Sequence, residues 1–294
     1  VKPHRPALRW HGGKWLLAPW IIENLPPHRV YVEPFGGAAS VLIRKQRSYA
    51  EVYNDLDGDV VNLFRVLQSE ALTQRLIALL GVTPFARNEF ELAYSHARGR
   101  VERARRLIIR SFMGFGSNGH NARVKTGFRA NSNRSGTTPA RDWWNLPPNL
   151  EAIAERFRGV VIENRCATEV MAAHDGSETL HYVDPPYLPE TRSLKNPYDL
   201  KYRAGKGTAH RSGMYEHEMT AADHEELLSF LLGLRGAVVL SGYPSPLYTD
   251  TLAGWRRVER MAHADGARDR TEVLWINQAA DEQLSKPLFA EVAA

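Results

Sequence analysis

Cysteine is all but absent. Cys166 stands alone among 294 residues, so the chain can form neither an internal disulfide nor a cysteine-built zinc cluster, which suits a reducing compartment. The lone thiol reads as a small buried residue. Long apolar runs are missing too. No stretch reaches the ~18 to 20 apolar residues that span a bilayer, and the opening Val1-Lys2-Pro3-His4-Arg5 lacks the apolar centre of a signal peptide. The expectation is a soluble, cytoplasmic protein with no membrane partner. The eleven histidines show no His-x-x-x-His or His-Glu-x-x-His spacing, so no metal is expected. His217 and His224 read as surface histidines, and Asp223, Glu225 and Glu226 as first-turn acids of a helix. The full G-x-G-x-x-G of dinucleotide enzymes is missing, as are internal repeats and low-complexity tracts.

What is present suffices for a sizeable core: 43% of the residues are hydrophobic and 24% charged, which excludes disordered and fibrous classes. The net charge of +5 favours a polyanionic partner only mildly. Apolar runs rich in valine and tyrosine alternate with segments of helical period, the pattern of an α/β fold around a mostly parallel sheet. Strands are expected at Arg29 to Glu33, Glu51 to Asn54, Val160 to Glu163, Leu180 to Asp184, Ala237 to Ser241, Arg256 to Met261 and Glu272 to Ile276. Helices are expected at Ala38 to Lys45, Asp57 to Leu67, Glu102 to Phe112 and Ala222 to Leu234, with a loop and helix between Leu8 and Leu25. The gap between the second and third strands is too long for one crossover. Residues 57–158 are therefore expected to be an inserted domain, helical at first and loop-rich later, with 1–56 and 159–294 making the main domain.

Three motifs carry chemistry. Asp184-Pro185-Pro186-Tyr187 follows an apolar run and so lies at the carboxyl end of a strand, where α/β folds place their sites. A carboxylate at Asp184 and the backbone carbonyl of Pro185 are two acceptors suited to holding the protons of an aromatic amine, whose delocalised lone pair makes it a poor nucleophile. The prolines stiffen the loop, and Tyr187 offers a face on which a base can stack. The second motif is Glu33-Pro34-Phe35-Gly36-Gly37, a strand entering a glycine turn and a helix, with Asn54-Asp55 about twenty residues on. Glycines allow close backbone approach to a ligand, and an acid at that spacing grips ribose hydroxyls in nucleoside-binding folds. The third is Trp10-His11-Gly12-Gly13-Lys14 near the start.

Taken in this order, the motifs resemble the Dam-like alpha group of DNA adenine methyltransferases, a likeness running to about Tyr243. The resemblance implies a Rossmann-like sheet with one antiparallel strand, plus an inserted domain that reads DNA. It further implies S-adenosylmethionine as cofactor, contacted by Trp10, Lys14, Asp55 and Asp184, with Glu33, Phe35 and the Gly36-Gly37 turn lining its pocket and Asn164 near its adenine. The catalytic set would be Asp184, Pro185, Pro186 and Tyr187, acting on a flipped adenine in double-stranded DNA by direct in-line transfer, with no obligate protein partner. The Asn-Arg-x-Gly-x-Phe-Asn-Val-Pro segment typical of GATC readers is not matched, which leaves the target sequence open. The biological role is open as well, between restriction protection, phage defence evasion and regulation.

Between Phe115 and Arg141 there are five basic residues and no acid. Arg123, Lys125, Arg129 and Arg134 are expected at phosphates, with Asn118, Asn121 and Phe128 entering a groove. A second basic stretch, Leu188 to Tyr215, follows the catalytic motif and would close over the base or the phosphates. Three rivals stand beside this reading: methylation of the cytosine amino group, of RNA or of a protein glutamine, and an inactive DNA-binding regulator.

Overall fold

The computed structural model describes residues 2–116, 125–131, 136–188, 191, 217–264 and 268–285. Seven strands form one sheet: β1 (Val30–Glu33), β2 (Ala50–Asn54), β3 (Val161–Glu163), β4 (Thr179–Val183), β5 (Ala237–Gly242), β6 (Arg256–Ala264) and β7 (Arg268–Ile276). Their order is β3-β2-β1-β4-β5-β7-β6. All neighbours run parallel except β7, which is antiparallel to both β5 and β6. The expected Rossmann-like sheet with a single reversed strand is therefore the fold found. All seven strands expected from sequence are present, with β6 and β7 extended by their hairpin pairing.

The helices around the sheet are α1 (Ala18–Glu23), α2 (Ser40–Arg44), α3 (Gly58–Leu67), α4 (Glu70–Gly81), α5 (Arg87–Leu92), α6 (Arg100–Met113), α7 (Pro139–Trp144), α8 (Pro147–Phe157), α9 (Ala167–His174), α10 (Ala221–Leu232), α11 (Pro246–Thr251) and α12 (Gln278–Ser285). None of the described helices is long and apolar enough to cross a membrane. Period-two alternation decides which side of the sheet each strand residue serves. On β5, Ala237 and Val239 face one apolar cluster and Val238 and Leu240 the other, and on β7 Leu274 and Ile276 alternate with Val273 and Trp275 in the same way. Both faces are covered, as a parallel sheet requires.

The larger cluster takes in α3, α4, α6 and α8 together with Tyr31, Tyr53 and Tyr182 of the sheet. Its centre is aromatic. Phe64 stacks on Phe157 at 4.3 Å and 10°, and Tyr53 meets Phe64 edge-on at 4.8 Å. The helices between β2 and β3 thus bury their apolar stripes in the same core as the sheet. Two single-residue expectations are corrected. His224 is fully buried on the inward face of α10, its Nδ1 2.8 Å from the Tyr248 hydroxyl, and Cys166 is exposed rather than buried.

Candidate active site

The strand order reverses direction between β1 and β4, and the crevice above the carboxyl ends at such a switch point is where open α/β sheets bind ligands. A pocket of about 440 Å³ lies there, lined by Trp10, Lys14, Glu33, Phe35, Gly36, Gly37, Asp55, Asp184, Pro185 and Pro186 among others. Three motifs far apart in sequence therefore meet in one cavity.

The glycine turn is shaped by what crowds it. A Cβ on Gly36 would come within 2.1 Å of Tyr53 Cε2, and one on Gly37, whose φ is +47°, within 2.6 Å of Trp10 Nε1. Only glycine lets the Tyr53 ring and the Trp10 indole close on this turn. The Tyr53 hydroxyl then donates to the Gly37 carbonyl at 2.7 Å, and Ala39, at φ 54°, turns the chain into α2. Gly37 N–H in turn donates to Asp55 Oδ2 at 2.7 Å while Asp57 N–H donates to Oδ1 at 2.8 Å. Burial raises the Asp55 carboxyl above its ordinary value, and these two N–H groups oppose the rise. The acid after β2 is thereby fixed at the pocket wall. Asn54 binds three strand ends together: its Nδ2 donates to Pro34 O at 2.8 Å and Arg165 O at 3.1 Å, and its Oδ1 accepts from Arg165 N–H at 3.0 Å.

Glu33 is 3% exposed and accepts two donors on one oxygen, from Tyr31 OH at 2.7 Å and Leu42 N–H at 3.0 Å. Desolvation dominates, pushing its carboxyl up to about 8. Across the pocket, Asp184 Oδ1 accepts from Ser241 Oγ at 2.7 Å and pairs with Lys14 Nζ at 3.0 Å. Lys14 Nζ also donates to Gly12 O at 2.9 Å and lies 4.6 Å from the centroid of the Tyr187 ring. An ammonium thus sits between the carboxylate and the aromatic face.

Two residues expected in the pocket stand outside it. Asn164 is exposed, and its Nδ2 donates to the Asp55 and Leu56 carbonyls at 2.7 and 3.2 Å, bracing the Asp55 loop from behind. At this end of β3 the wall is made instead by Cys166, Ala167 and Thr168. Tyr187 is only 8% exposed. Its hydroxyl donates to Glu272 Oε2 at 2.8 Å, and Tyr243 packs edge-on at 4.6 Å. Its ring is a buried part of the scaffold beneath Lys14.

Sequence reasoning missed Ser241, Tyr243 and Glu272, which reach the motif across neighbouring strands with no local signature. His217, read as a surface histidine, and Asp223 and Glu226, read as first-turn acids, are exposed, and all three also line the mouth of the pocket. Asp223 serves the α10 capping box as expected of a first-turn acid, and borders the cavity besides.

The basic segment begins on a stem. Phe115 N–H donates to Gly127 O and Arg129 N–H to Met113 O, both at 2.7 Å, on either side of a Gly114–Phe128 bridge. Lys125 is exposed at this stem, and so is Phe115, at 69%. Phe128 and Arg129 make contacts within the protein at this stem. Phe128 packs against Phe85 and Phe90 at 5.2 and 5.8 Å with Arg87 over its ring, and Arg129, 11% exposed, lies 3.8 Å from Asp142. Both are half-buried, and the apolar contacts of the Phe128 ring stabilise the stem. Asn118, Asn121, Arg123 and Arg134 lie outside the described residues, as does most of Leu188 to Tyr215. The stem is tied to the pocket through Arg9, whose N–H donates to Ser111 Oγ at 2.7 Å and whose carbonyl accepts from it at 2.9 Å, one residue before Trp10.

Similarity to known proteins agrees with this geometry. The DNA adenine methylase of Salmonella typhi is 26% identical over 194 residues, 64% of this chain and 67% of that protein. The DNA adenine methylases of Vibrio cholerae serotype O1 and Serratia marcescens are 36% and 34% identical over 70 and 68 residues. The aligned stretch spans a quarter of the length of each of these two, 25% in both cases. Over residues 10–210, from Trp10 through the glycine turn and the Asp184 motif, the sequence matches a family of described specificity. The chain belongs to the family of D12 class N6 adenine-specific DNA methyltransferases.

Proposed function

We propose that the protein transfers a methyl group from S-adenosylmethionine to the exocyclic amino group of adenine in duplex DNA. The observation that carries this is Asp184: a carboxylate at the carboxyl end of β4, oriented by Ser241 and facing the same cavity as the glycine turn and Asp55. The family implies a methyl donor, and the pocket suits this one. About 440 Å³ falls within the usual ~300 to 1,000 Å³ of small-molecule sites, and Asp55 presents an oriented carboxylate for ribose hydroxyls. Trp10 and Phe35 supply apolar walls, while the Asp184 carboxylate favours a positive centre beside it. The donor brings an already activated methyl group, so the protein need form no covalent intermediate.

The chain's own work is to hold the amine. Asp184 accepts one amino proton and the Pro185 carbonyl the other, drawing the nitrogen lone pair out of the ring and toward the methyl group. The Lys14 ammonium donates to that same carboxylate above the Tyr187 ring. Ser241 and Lys14 both meet Oδ1, so in this reading Oδ2 accepts from the amino group, with the Tyr187 ring beneath Lys14 backing the flipped adenine. In this reading residues 57–158 serve as the recognition region, with Arg123, Lys125 and Arg134 at the phosphates, while Phe128 and Arg129 support the stem.

The test is incubation of the protein with unmethylated duplex DNA and labelled S-adenosylmethionine, followed by digestion to nucleosides and mass spectrometry. Methyladenine is the expected product. Methylcytosine overturns the base assignment, and no transfer overturns the reading itself. Asp184→Ala should abolish turnover while leaving most DNA affinity, because phosphate contacts elsewhere supply much of it; wild-type turnover in that variant refutes the role of the carboxylate.

A further inference from the structure

The Asp184 motif leaves its strand with little backbone to hold it. The last parallel pairing of β4 with β5 is Val183 with Leu240, and the two residues that follow Asp184 are prolines, which have no N–H to donate. Side chains have to fix this segment. Ser241 and Lys14 anchor Asp184. A further anchor joins Tyr187 to Glu272, residues 85 positions apart in sequence, 8% and 6% exposed, through a 2.8 Å hydrogen bond. Since the sheet order runs β4-β5-β7, that bond passes over the end of β5 and ties the catalytic loop to the reversed strand.

The surroundings are built to hold this contact. Glu272 and Arg270 alternate on β7 and so share a face. Arg270 lies over the Tyr243 ring at 5.0 Å, and Tyr243, directly after β5, sets its ring at 72° to that of Tyr187. Glu272 does not line the pocket. Its direct link to the motif is the Tyr187 hydroxyl, and its charge is felt besides by Lys14 and Asp184.

We propose that Glu272 is a positioning residue for the transfer reaction, accepting from the Tyr187 hydroxyl and so fixing the ring and the Asp184–Tyr187 segment against the incoming base. The inference rests on the function proposed above. Burial raises the Glu272 carboxyl above its ordinary value, with Lys14 and Arg270 opposing, so glutamine, a neutral acceptor of the same shape, is the conservative replacement.

The experiment compares Glu272→Ala, Glu272→Gln, Tyr187→Phe and the double variant Tyr187→Phe/Glu272→Ala. Loss of positioning near a reacting centre costs on the order of 10- to 100-fold, so Glu272→Ala should lower kcat by about that factor with cofactor affinity unchanged. Glu272→Gln should restore most of it. In the Tyr187→Phe background, where the bond is already gone, adding Glu272→Ala should cost nothing further. Hydrogen exchange supplies a readout independent of catalysis: the Tyr187 and Leu188 amides should exchange faster in Glu272→Ala and not in Glu272→Gln. An equal loss in both backgrounds, or unchanged exchange, overturns the proposal. If Glu272→Ala does not fold, Tyr187→Phe breaks the same bond from the other side, and unchanged exchange there is equally decisive. A wild-type protein inert on DNA would sink the proposed function, while the exchange data would still decide the role of Glu272.

Discussion

Replacing Gly36 by alanine tests whether the turn after β1 depends on close packing. The added Cβ would lie 2.1, 2.5 and 2.8 Å from three carbons of the Tyr53 ring, where ordinary contact starts near 3.4 Å, so ring or turn must retreat by about 1 Å. The ring cannot retreat cheaply. It is fully buried, edge-packed on Phe64 at 4.8 Å and Phe157 at 5.8 Å, and bonded through its hydroxyl to Gly37 O. Overpacking a tight core costs about 1 to 3 kcal/mol, and a ring held on several sides belongs at the upper end, about 3 kcal/mol. At roughly 2 to 4 °C per kcal/mol for a chain of this size, the melting temperature should fall by about 6 to 12 °C. Movement of the turn also displaces the Gly37 N–H from Asp55, so cofactor affinity should fall with stability. Thermal unfolding and cofactor calorimetry read the two effects. Gly58→Ala, at the start of α3 where nothing lies within 4 Å, is the control: it should leave cofactor affinity unchanged and hold or slightly raise the melting temperature. If Gly36→Ala melts within a degree or so of wild type, as roughly 0.5 kcal/mol would give, and binds cofactor as tightly, the crowding argument is wrong.

Three further outcomes are expected. Because burial raises the Glu33 carboxyl to about 8 from the ordinary ~4.3 of an unfolded chain, its contribution to stability is complete below the unfolded value and is lost as pH climbs through 8. Glu33→Gln keeps an acceptor for Tyr31 and Leu42 and should lose less melting temperature than wild type between pH 5 and 8; parallel curves would refute the buried-acid assignment. Lys125→Ala should weaken DNA binding and lower the slope of log affinity against log salt by about one. Arg129→Ala, paired with Asp142, should lower the melting temperature and leave that slope nearly unchanged, and an equal slope change for both would place Arg129 at a phosphate after all. The Thr168 hydroxyl bonded to Cys166 holds its thiol below the ordinary value, so iodoacetamide should label it readily and S-adenosylmethionine should slow the labelling. Labelling indifferent to the cofactor would mean that this wall of the pocket is not the one the cofactor covers.

The strands were legible in the sequence because valine and tyrosine runs flanked by turn residues have few other uses in an α/β chain. The motifs at their carboxyl ends were legible for the same reason, since a strand fixes where its last residue points. Short helices were harder to see. The later part of residues 57–158 was expected to be loop-rich, yet Pro139 and Pro147 each open a helix there, where proline's missing N–H is needed by nothing. His224 looked like a surface residue because its neighbours Asp223, Glu225 and Glu226 are charged, although Leu227, Leu228 and Leu231 lie with it on the buried side of α10. Phe128 and Arg129 were taken for DNA contacts from composition, and composition does not reveal that Phe85, Phe90 and Asp142 await them. The partners of the catalytic motif, Ser241, Tyr243 and Glu272, were invisible for a plainer reason. Strand order brings them to Asp184 and Tyr187, and one sequence does not spell out strand order.

The stacked pair Phe64 and Phe157 has a consequence for how the chain can be cut. These rings bracket the segment between β2 and β3, one near its start and the other near its end, and both are pressed against Tyr53 on the sheet. Excising that segment would uncover Tyr31, Tyr53 and Tyr182 on one face of the sheet, so a chain lacking it would lose the support of its parallel strands along with the segment itself.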